Sequence, residues 1–305
     1  MAKSDEKTAA ASAGLRSALP ISVIVAVRNE ERNLPCCLES LADAGEVYVI
    51  DSHSTDGTVA VAHTYGAKVV QFTYSSGWPK KRQWALDTLP LAYDWILLLD
   101  ADEALSPEVR VEMGHAVRNP HVDGYYLAMQ MHFLGRRLRH CGAQFYKLAL
   151  FRRGKGRYEC RLKEQDTSMC DMEVHEHVVV DGATQKLTNP VIHHNVESLD
   201  RYIQKHNEYS NWDAAVALKG SPADDLPPAL FGNQAQRRRW LRKQFFNVPG
   251  SSLALFAYRY FFRLGFLDGV PGLVYCAFQA IQMFHVKAKI YELKTHPRVN
   301  SHPSC

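Results

Sequence analysis

Three carboxylates, Asp100, Asp102 and Glu103, follow directly after the apolar run Ile96–Leu99. A short uninterrupted apolar run is typical of a strand that is buried on both faces of a parallel sheet. Carboxylates placed this close repel one another unless a cation or a ligand lies between them. A polar turn after a strand is the simpler interpretation, because an Asp-x-Asp pattern is common. The pattern gains weight only if other segments bring polar residues to the same place.

Two earlier segments end in polar residues in the same way. The β-branched run Ile21–Val27 is followed by Arg28 and Glu30, and the run Glu46–Ile50 is followed by Asp51. In open α/β sheets, ligands bind in the crevice outside the carboxyl ends of the strands. We therefore expect these side chains to meet Asp100 at one edge of a sheet, a convergence much less frequent by chance than any single motif.

Helical segments alternate with the predicted strands. The predicted elements are a helix from Asn33 to a stop at Gly45, a short helix to Tyr65, a strand Ala67–Phe72 and a helix Lys80–Leu89. This βαβαβ order predicts an α/β fold with a right-handed, mostly parallel sheet. Of the two aspartates after the second strand, Asp56 is expected to cap the following helix.

Length and composition exclude several classes of protein. The chain has 305 residues, 46% hydrophobic and 22% charged, which is typical of a globular protein and not of a disordered or fibrous one. Its net charge of +4 is small, and no RNA-binding module or recognition helix is visible, so nucleic acid is not an expected partner. The seven cysteines follow no regular spacing, which favours reduced thiols in the cytoplasm.

The polar segments after the predicted strands resemble a known family. Three motifs carry the resemblance: Val27-Arg28-Asn29-Glu30-Glu31, the segment Val49–Thr58, and Leu99-Asp100-Ala101-Asp102-Glu103. They resemble family 2 glycosyltransferases of the GT-A fold, most closely the bacterial subgroup that includes lipopolysaccharide-core glucosyltransferases. Lys80–Leu86 also resembles the helix that precedes the aspartate motif in that subgroup. The resemblance extends over roughly residues 20 to 295.

The resemblance implies a site for a nucleotide sugar and a divalent cation, Mn²⁺ or Mg²⁺. Asp102 is implied as a ligand of the cation, which would bridge the diphosphate; hard cations take oxygen ligands and act as Lewis acids. The residues implied to contact the nucleotide are Arg28, Glu30, Asp51, Asp100 and either Lys81 or Arg82.

A second dense polar segment, Glu173–Val178, corresponds in the resemblance to the place of the catalytic base. Inverting transfer needs a group that takes the proton of the acceptor hydroxyl, and Glu176 is the residue implied for this role. His175 and His177 remain alternatives because an imidazole titrates nearer neutrality. A zinc site made of Cys160, Cys170, His175 and His177 is also conceivable, but the spacings fit no familiar zinc module.

The predicted strand Pro190–Ile192 ends at His193 and His194. Related GT-A enzymes place a metal-binding histidine here, and the family pattern falls on His193. An imidazole ligand suits Mn²⁺ better than Mg²⁺. Two basic turns, Gly135–His140 and Arg152–Arg157, could in addition contact a sugar diphosphate or a phosphorylated acceptor; solvated basic turns are the simpler interpretation.

The C-terminal third is predicted to be helical and to contact a membrane. It contains an amphipathic helix Leu199–Leu218, the basic cluster Arg237–Lys243 and the apolar stretches Leu253–Phe262 and Leu273–Val286, separated by a break at Leu267–Gly272. The later stretch is short for a transmembrane helix. Two short amphipathic helices with basic flanks indicate binding at the membrane surface; packing on the catalytic domain or dimerisation would expose the same pattern.

The sequence therefore predicts four segments and one principal function. We expect a disordered leader (1–19), a GT-A catalytic domain (20–198), a membrane-associating helical region (199–295) and a tail (296–305). The predicted activity is inverting transfer of a sugar, with UDP-hexose as the expected donor, to a lipid-linked glycan or lipopolysaccharide-type acceptor. The protein would act at the cytoplasmic face of the inner membrane as a peripheral or monotopic protein, with contact through residues 237–290. The alternatives are a polyprenyl-phosphate glycosyltransferase and a catalytically silent binding protein with the same fold.

Overall fold

The computed structural model describes residues 19–163, 171–173, 176–194, 198–219, 227–232, 236–237, 239–241, 244 and 248–296. Its strands are β1 (Leu19–Val27), β2 (Ala44–Asp51), β3 (Lys68–Gln71), β4 (Trp95–Asp100), β5 (Glu103–Leu105), β6 (Gly124–Phe133), β7 (Arg136–Arg137), β8 (Phe145–Arg152), β9 (Gly156–Tyr158), β10 (Val178–Val180) and β11 (Thr184–His194). Its α-helices are α1 (Leu34–Glu39), α2 (Thr58–Thr64), α3 (Lys81–Thr88), α4 (Pro107–Ala116), α5 (Leu199–Lys219), α6 (Ser251–Ala257) and α7 (Gly269–Thr295).

A nine-stranded mixed sheet organises the described part of the chain. The strand order is β3-β2-β1-β4-β8-β6-β11-β5, and β7 pairs with β6. Strands β1 to β4 are mutually parallel, β8 runs against its neighbours β4 and β6, and β6 and β11 are again parallel. Most strands therefore point the same way, and the prediction of an α/β fold with a mostly parallel sheet is confirmed.

The sheet is buried on both faces, as the apolar runs predicted. Along β1, Val23 and Val25 belong to the core on one face, and Ile24 packs with Ile50 and Leu98 in the core on the other face. A strand with layers on both sides has no need for alternating polar residues. This explains why the central strands read as continuous apolar runs.

The strand register brings the polar segments together. Val27 of β1 lies opposite Asp51 of β2, and Ala26 lies opposite Asp100 of β4. The residues that follow β1, β2 and β4 therefore emerge at one edge of the sheet, which we call the carboxyl edge. Strand β11 adds His193 to this edge, because His193 pairs with Glu103 of β5.

The first predicted helix is wrong in length. It was expected to extend from Asn33 to Gly45, but α1 ends at Glu39 and Gly45 lies inside β2. The Ser40 hydroxyl donates to the carbonyl of Cys37 at 2.7 Å, and the chain then turns directly into the strand. A Cβ atom on Gly45 would lie 2.3 Å from the ring of Tyr93, so the glycine permits close packing and does not stop a helix.

The predicted break in the C-terminal region is also misplaced, and the second helix is not short. After α6, a π-helical turn (Tyr258–Phe262) leads to a 3-10 turn (Gly265–Asp268), and α7 then continues for 27 residues. Pro271 lies in the first turn of α7, where its missing N–H costs no helical hydrogen bond.

None of the described helices is both long enough and apolar enough to cross a bilayer by itself. The pair Ser251–Phe262 and Gly265–Thr295, bent by 71°, satisfies length and composition only when the two halves are taken together.

Candidate functional site

A cavity of about 650 Å³ lies at the carboxyl edge of the sheet. Six of the predicted site residues line it: Glu30, Arg82, Asp100, Asp102, Glu176 and His193. The opposite wall comes from the C-terminal helices, with Tyr202 and Lys205 of α5 and Tyr275 and Gln279 of α7 among its residues. The C-terminal region is thus part of the site and not a separate appendage.

Asp100 is held between two cations. Arg82 on α3 forms an ion pair with Asp100 Oδ1, and Lys147 Nζ lies 2.9 Å from Asp100 Oδ2. Lys147 also contacts Glu103 at 2.9 Å. Burial by itself would raise the pKa of Asp100, but Arg82 and Lys147 lower it far below its ordinary value. Asp100 is therefore ionised and already neutralised by the protein.

Sequence reasoning missed Lys147, although one signal pointed to it. Strand β8 reads Phe-Tyr-Lys-Leu-Ala-Leu-Phe-Arg, and Lys147 is a charge inside an otherwise apolar strand. A lysine is rarely buried unless it is paired. Its position implied a carboxylate partner, but the sequence could not show that this partner would be Asp100.

Asp102 and His193 form the second pair of the site. His193 Nε2 lies 3.3 Å from Asp102 Oδ2, and the backbone N–H of His194 donates to the Asp102 carbonyl at 2.8 Å. Burial would lower the pKa of His193, but the negative charges of Asp102, Glu103 and Asp100 raise it to about 9. These carboxylates therefore favour the protonated imidazole, whose charge compensates theirs.

The donor set of this pair fits a divalent cation shared with a ligand. Asp102 offers carboxylate oxygens, and His193 Nδ1 is buried with no hydrogen-bond partner among the described residues. The described part of the chain contains no group of three or more His, Cys, Asp or Glu side chains arranged to hold a metal. Cations that act on phosphates are commonly held by one or two protein ligands, and phosphate oxygens and water complete the coordination. Two ligands suit that arrangement.

Glu176 is buried against a lysine. Its side chain and that of Lys80 are both fully buried, with Lys80 Nζ 3.5 Å from Glu176 Oε2. Lys80 Nζ also donates to the carbonyl of Met172 at 3.2 Å and lies 5.4 Å from the ring centre of Trp212 on α5. Burial and the negative charge of Glu176 raise the pKa of the nearby Cys160 thiol. Lys80 is therefore a cation paired with Glu176 inside the protein.

The alternatives to Glu176 are only partly described. His177 lines the cavity, but its Nδ1 lies 3.2 Å from Glu159 Oε1, and Arg239 also binds Glu159. His175, the other candidate base, lies outside the described residues. So does Cys170 of the suggested zinc set, and the described Cys160 is a free thiol.

Glu30 connects the carboxyl edge to α5. Its Oε1 lies 2.7 Å from Arg201 Nη2 and 3.1 Å from Lys205 Nζ. Asn33 donates to the other oxygen at 2.7 Å. Arg201 and Lys205 were not predicted from the sequence, because the pattern of this helix indicates only its apolar face. Burial would lower the pKa of Lys205, but Glu30 and Asp102 raise it, so the cavity contains a lysine close to the Asp102 carboxylate.

Three other predicted nucleotide contacts do not line the cavity. Arg28 is exposed, and Asp51 is fully buried and accepts hydrogen bonds from the backbone N–H of Ser54 (3.0 Å) and from Gln71 Nε2 (2.9 Å). Lys81 Nζ donates to the carbonyl of Val27 at 2.8 Å and lies 3.1 Å from Asp171. Asp51 and Lys81 thus stabilise the ends of β2 and β1. The nucleotide contacts of all three residues stay predictions.

In the second basic turn, two arginines bind backbone carbonyls of the protein. Arg152 donates to the carbonyls of Val122 and Asn119, and Arg153 donates to the carbonyl of Leu91. These contacts agree with the simpler interpretation for Arg152 and Arg153, and the contact of this turn with a sugar diphosphate stays a prediction. Asp56 was expected to cap α2; Gly57 occupies the N-cap position, and the Asp56 carboxylate, one residue earlier, accepts the backbone N–H of Thr58 at 3.1 Å.

Comparison with known proteins gives a consistent picture. The model of the family described as glycosyl transferase family 2 matches residues 22–179. The lipopolysaccharide core biosynthesis glycosyltransferase LpsC of Rhizobium meliloti (strain 1021) is 28% identical over 293 residues, 92% of this chain and 97% of that protein. An uncharacterized glycosyltransferase of Rickettsia conorii is 28% identical over 207 residues, 65% of this chain and 71% of that protein.

Two solved structures also align with most of the chain. The mannosyltransferase PcManGT of Pyrobaculum calidifontis, solved with GDP-Man and Mn²⁺, gives a TM-score of 0.47 at 15% identity and covers 89% of this chain and 87% of its own. Residues 1–349 of TarS from S. aureus give 0.44 at 15% identity, with 90% and 91% covered.

The family match covers the strands that build the carboxyl edge, from β1 through β10, and this is more than half of the chain. The chain therefore belongs to glycosyl transferase family 2, and it is a glycosyltransferase with the GT-A fold.

Proposed function

We propose that the protein transfers a hexose from a nucleotide-sugar donor, with UDP as the nucleotide, to a lipid-linked glycan or lipopolysaccharide-type acceptor at the cytoplasmic face of the inner membrane. One observation carries the proposal: the Asp102–His193 pair and Glu176 line the same cavity. An ionised donor phosphate and a hydroxyl acceptor need these two kinds of group in one place. The similarity to LpsC, which acts in lipopolysaccharide core biosynthesis, supports the acceptor class.

Asp102 and His193 would hold the divalent cation of the reaction, Mn²⁺ or Mg²⁺. Bound there, the cation would supply Lewis-acid stabilisation of the negative charge on the departing diphosphate. His193 must lose its proton to serve as a ligand, because an imidazolium has no free lone pair. Asp100 stays with Arg82 and Lys147, so its proposed contact is with the ribose or the cation's outer ligands.

Glu176 would act as the general base. The acceptor oxygen attacks the anomeric carbon of the donor as the bond from that carbon to the diphosphate breaks, and the diphosphate leaves with the electron pair. Glu176 takes the proton of the acceptor hydroxyl, and attack from the face opposite the leaving group inverts the anomeric configuration. Glu30, Arg82 and Asp100 line the cavity as the nucleotide contacts of this proposal. Arg28, Asp51 and Lys81, which do not line the cavity, are the further nucleotide contacts of this proposal.

The C-terminal helices would place this cavity at the membrane. We assign the membrane contact to the region 237–290, which contains the exposed apolar residues of α6 and α7. Arg239 is excluded from a headgroup-binding role, because its side chain is 10% exposed and binds Glu159. The protein would then be peripheral or monotopic.

The decisive experiment is a screen of nucleotide sugars, read by binding and by slow hydrolysis of the donor in the presence of Mn²⁺. We expect a UDP-hexose to bind and to be hydrolysed. With an acceptor present, Glu176→Gln should keep donor binding and lose transfer by about a hundredfold to ten-thousandfold. The matched control is Glu39→Gln, an exposed carboxylate on α1, which should behave as the wild type.

The other outcomes separate the alternatives. Full transfer by Glu176→Gln would move the base role to a histidine, or would favour a polyprenyl-phosphate acceptor, which needs no strong base. A folded protein that binds and hydrolyses no nucleotide sugar would be a binding protein with the GT-A fold, and the proposed function would be wrong.

A further inference from the structure

The bend between α6 and α7 exposes large apolar side chains. Six of them lie within ten residues, and we call Phe261–Val270 the apolar tip. They are Phe261 (57% exposed), Phe262 (79%), Leu264 (43%), Phe266 (45%), Leu267 (51%) and Val270 (70%). Single exposed apolar residues are normal on a protein surface, but a contiguous group of this kind marks an interaction site.

Hydrogen bonds to residues 139–141 fix the position of the apolar tip. The backbone N–H groups of Arg139 and His140 donate to the carboxylate of Asp268 at 3.0 and 2.9 Å. The N–H of Cys141 donates to the carbonyl of Arg263 at 2.8 Å, and Arg259 returns a bond to the Cys141 carbonyl at 2.9 Å. The exposure of the apolar side chains is therefore a property of an anchored bend, which presents them in a fixed arrangement.

Cations surround the apolar tip. Arg136, Arg137 and Arg139 are exposed on the hairpin that includes β7, and Arg263 is exposed within the tip. A Cβ atom on Gly269 would lie 3.1 Å from Arg136 Nη1, so this guanidinium lies directly beside the start of α7. Between residues 249 and 291 the sequence contains one acidic residue, Asp268, and it is 3% exposed. The surface is thus apolar at its centre and positive at its rim.

We propose that the apolar tip inserts into the interface of an anionic lipid bilayer, with Arg136, Arg137, Arg139 and Arg263 bound to the headgroups. Apolar side chains in the acyl boundary and arginines at the phosphates are the two contributions that hold proteins at an anionic membrane surface. The charge pattern selects this occupant over a second copy of the chain, since two identical positive rims would repel each other.

The insertion is confined to the tip. Further along α7, Lys289 Nζ donates to Asn207 Oδ1 on α5 at 2.7 Å, and Lys287 Nζ donates to Ser251 Oγ at 2.6 Å. These contacts hold the second half of α7 against the protein. The arginine rim then sets the depth, because guanidinium groups remain at the headgroup level.

This placement deepens the proposed function and rests on it for its acceptor. Tyr275 lines the cavity five residues after Val270, which is about 8 Å along the axis of α7. An apolar tip in the bilayer therefore brings the cavity close to the headgroup layer. A sugar carried by a lipid anchor could then reach Glu176 without leaving the membrane.

Co-sedimentation with vesicles tests the inference. The full chain should bind vesicles that contain phosphatidylglycerol and bind pure phosphatidylcholine vesicles weakly. Phe262→Ser with Leu267→Ser should weaken binding to both kinds of vesicle. Arg136→Gln with Arg137→Gln should weaken binding to phosphatidylglycerol by about tenfold or more and reduce its dependence on salt.

Matched controls lie on α4 and directly after it. Val111→Ser removes a side chain on α4 that is 65% exposed, and Arg118→Gln removes an exposed arginine next to α4. Both should bind vesicles as the wild type does, and the variant with Phe262→Ser and Leu267→Ser should hydrolyse a soluble donor at the wild-type rate. Equal vesicle binding by the tip variants and the wild type would overturn the inference. So would a dimer in lipid-free sedimentation that the serine substitutions dissociate, because a second copy would then cover the tip.

The outcome is separate from that of the proposed function. A protein that binds anionic vesicles through the tip but hydrolyses no nucleotide sugar would contradict the activity alone. A protein that hydrolyses the donor but does not bind the vesicles would contradict only the proposed membrane contact.

Discussion

The carboxyl edge of the sheet buries charged side chains, whereas the apolar tip exposes large apolar side chains. At the carboxyl edge, charged side chains such as Lys80 and Glu176 are fully buried and paired. At the tip, Phe262 and Val270 are 79% and 70% exposed. Burial of a charge costs free energy unless the charge is paired, and an exposed cluster of large apolar side chains marks an interaction site. The comparison teaches that two surfaces of opposite chemistry share α7, which contributes Tyr275 to the cavity and Val270 to the tip.

The largest expected effect concerns the cation site at the carboxyl edge. Asp102→Asn should lower turnover by about a thousandfold or more, because several kcal/mol of stabilisation of the leaving charge are lost. Steady-state kinetics across a Mn²⁺ titration measures the effect. Glu39→Gln is the control, since it removes an exposed carboxylate on α1. An Asp102→Asn enzyme with normal activity and metal dependence would show that the buried charges at this edge do not serve a cation.

The Lys80–Glu176 pair gives the next largest effect. Lys80→Met leaves Glu176 buried with one cation fewer, so the carboxylate should hold a proton at neutral pH and the rate should fall by about a hundredfold. The acidic limb of the kcat/KM profile should move to higher pH, and Lys80→Arg should restore part of the activity.

The neighbouring lysine is a matched control for that experiment. Lys81 is also fully buried, and its partner is Asp171 at 3.1 Å. Lys81→Met should therefore cost stability, as the loss of any buried ion-pair partner does, but should leave the acidic limb where it is. If Lys80→Met changed stability alone, the pair would be structural and Glu176 would not be the base.

Glu159 tests the buried charges through acid stability. Burial would raise its pKa, but hydrogen bonds from His177 and Arg239 lower it from 4.5 to about 2. Because the folded pKa lies below the unfolded one, the carboxylate stabilises the fold above pH 4.5, and this contribution is lost as the pH falls towards 2. Glu159→Gln should lower the free energy of unfolding at pH 7 by up to about 3 kcal/mol.

The measurement is urea unfolding of both proteins at a series of pH values. The wild type and Glu159→Gln should differ most at neutral pH and converge near pH 2. A constant difference at every pH would mean that packing, and not the charge of Glu159, accounts for its contribution.

The smallest effect is expected at Lys205. Lys205→Met removes one of the two cations of α5 that pair with Glu30 at the carboxyl edge. We expect about a tenfold weaker donor affinity, with a smaller salt dependence, since the charge acts on an anionic ligand through a partly solvated site. Lys68→Met is the control, because Lys68 pairs with Glu46 on the outside of β3. An equal loss in both variants would contradict a role for α5 in donor binding.

Much of the carboxyl edge could be predicted because its signals are local. The apolar runs of β1, β2 and β4 announce buried parallel strands, and the carboxylates that follow them must share an edge. The sequence could not assign the three consecutive cations Lys80, Lys81 and Arg82 to partners. Lys80 is the extended residue before α3, and Lys81 and Arg82 are the first two residues of the helix. Each of the three meets a different carboxylate: Glu176, Asp171 and Asp100 respectively.

Contacts between distant segments were beyond sequence reasoning for a physical reason. Lys147, Arg201 and Lys205 reach the cavity from β8 and α5, and only the sheet order and the path of the chain after β11 decide which carboxylates they meet. The bend before α7 was misplaced because Pro271 and Gly272 were read as helix breakers. Their positions in the first turn make them compatible with a helix start.

The contact of Glu30 with Arg201 and Lys205 makes it a competitor within the protein for any anionic ligand of those cations. A diphosphate that recruits Arg201 or Lys205 must displace a carboxylate that already lies 2.7 and 3.1 Å from them. The measured affinity is then the difference between two ion pairings. The same exchange breaks the ion pairs of α5 with the turn after β1, so occupancy of the cavity and these ion pairs are thermodynamically linked.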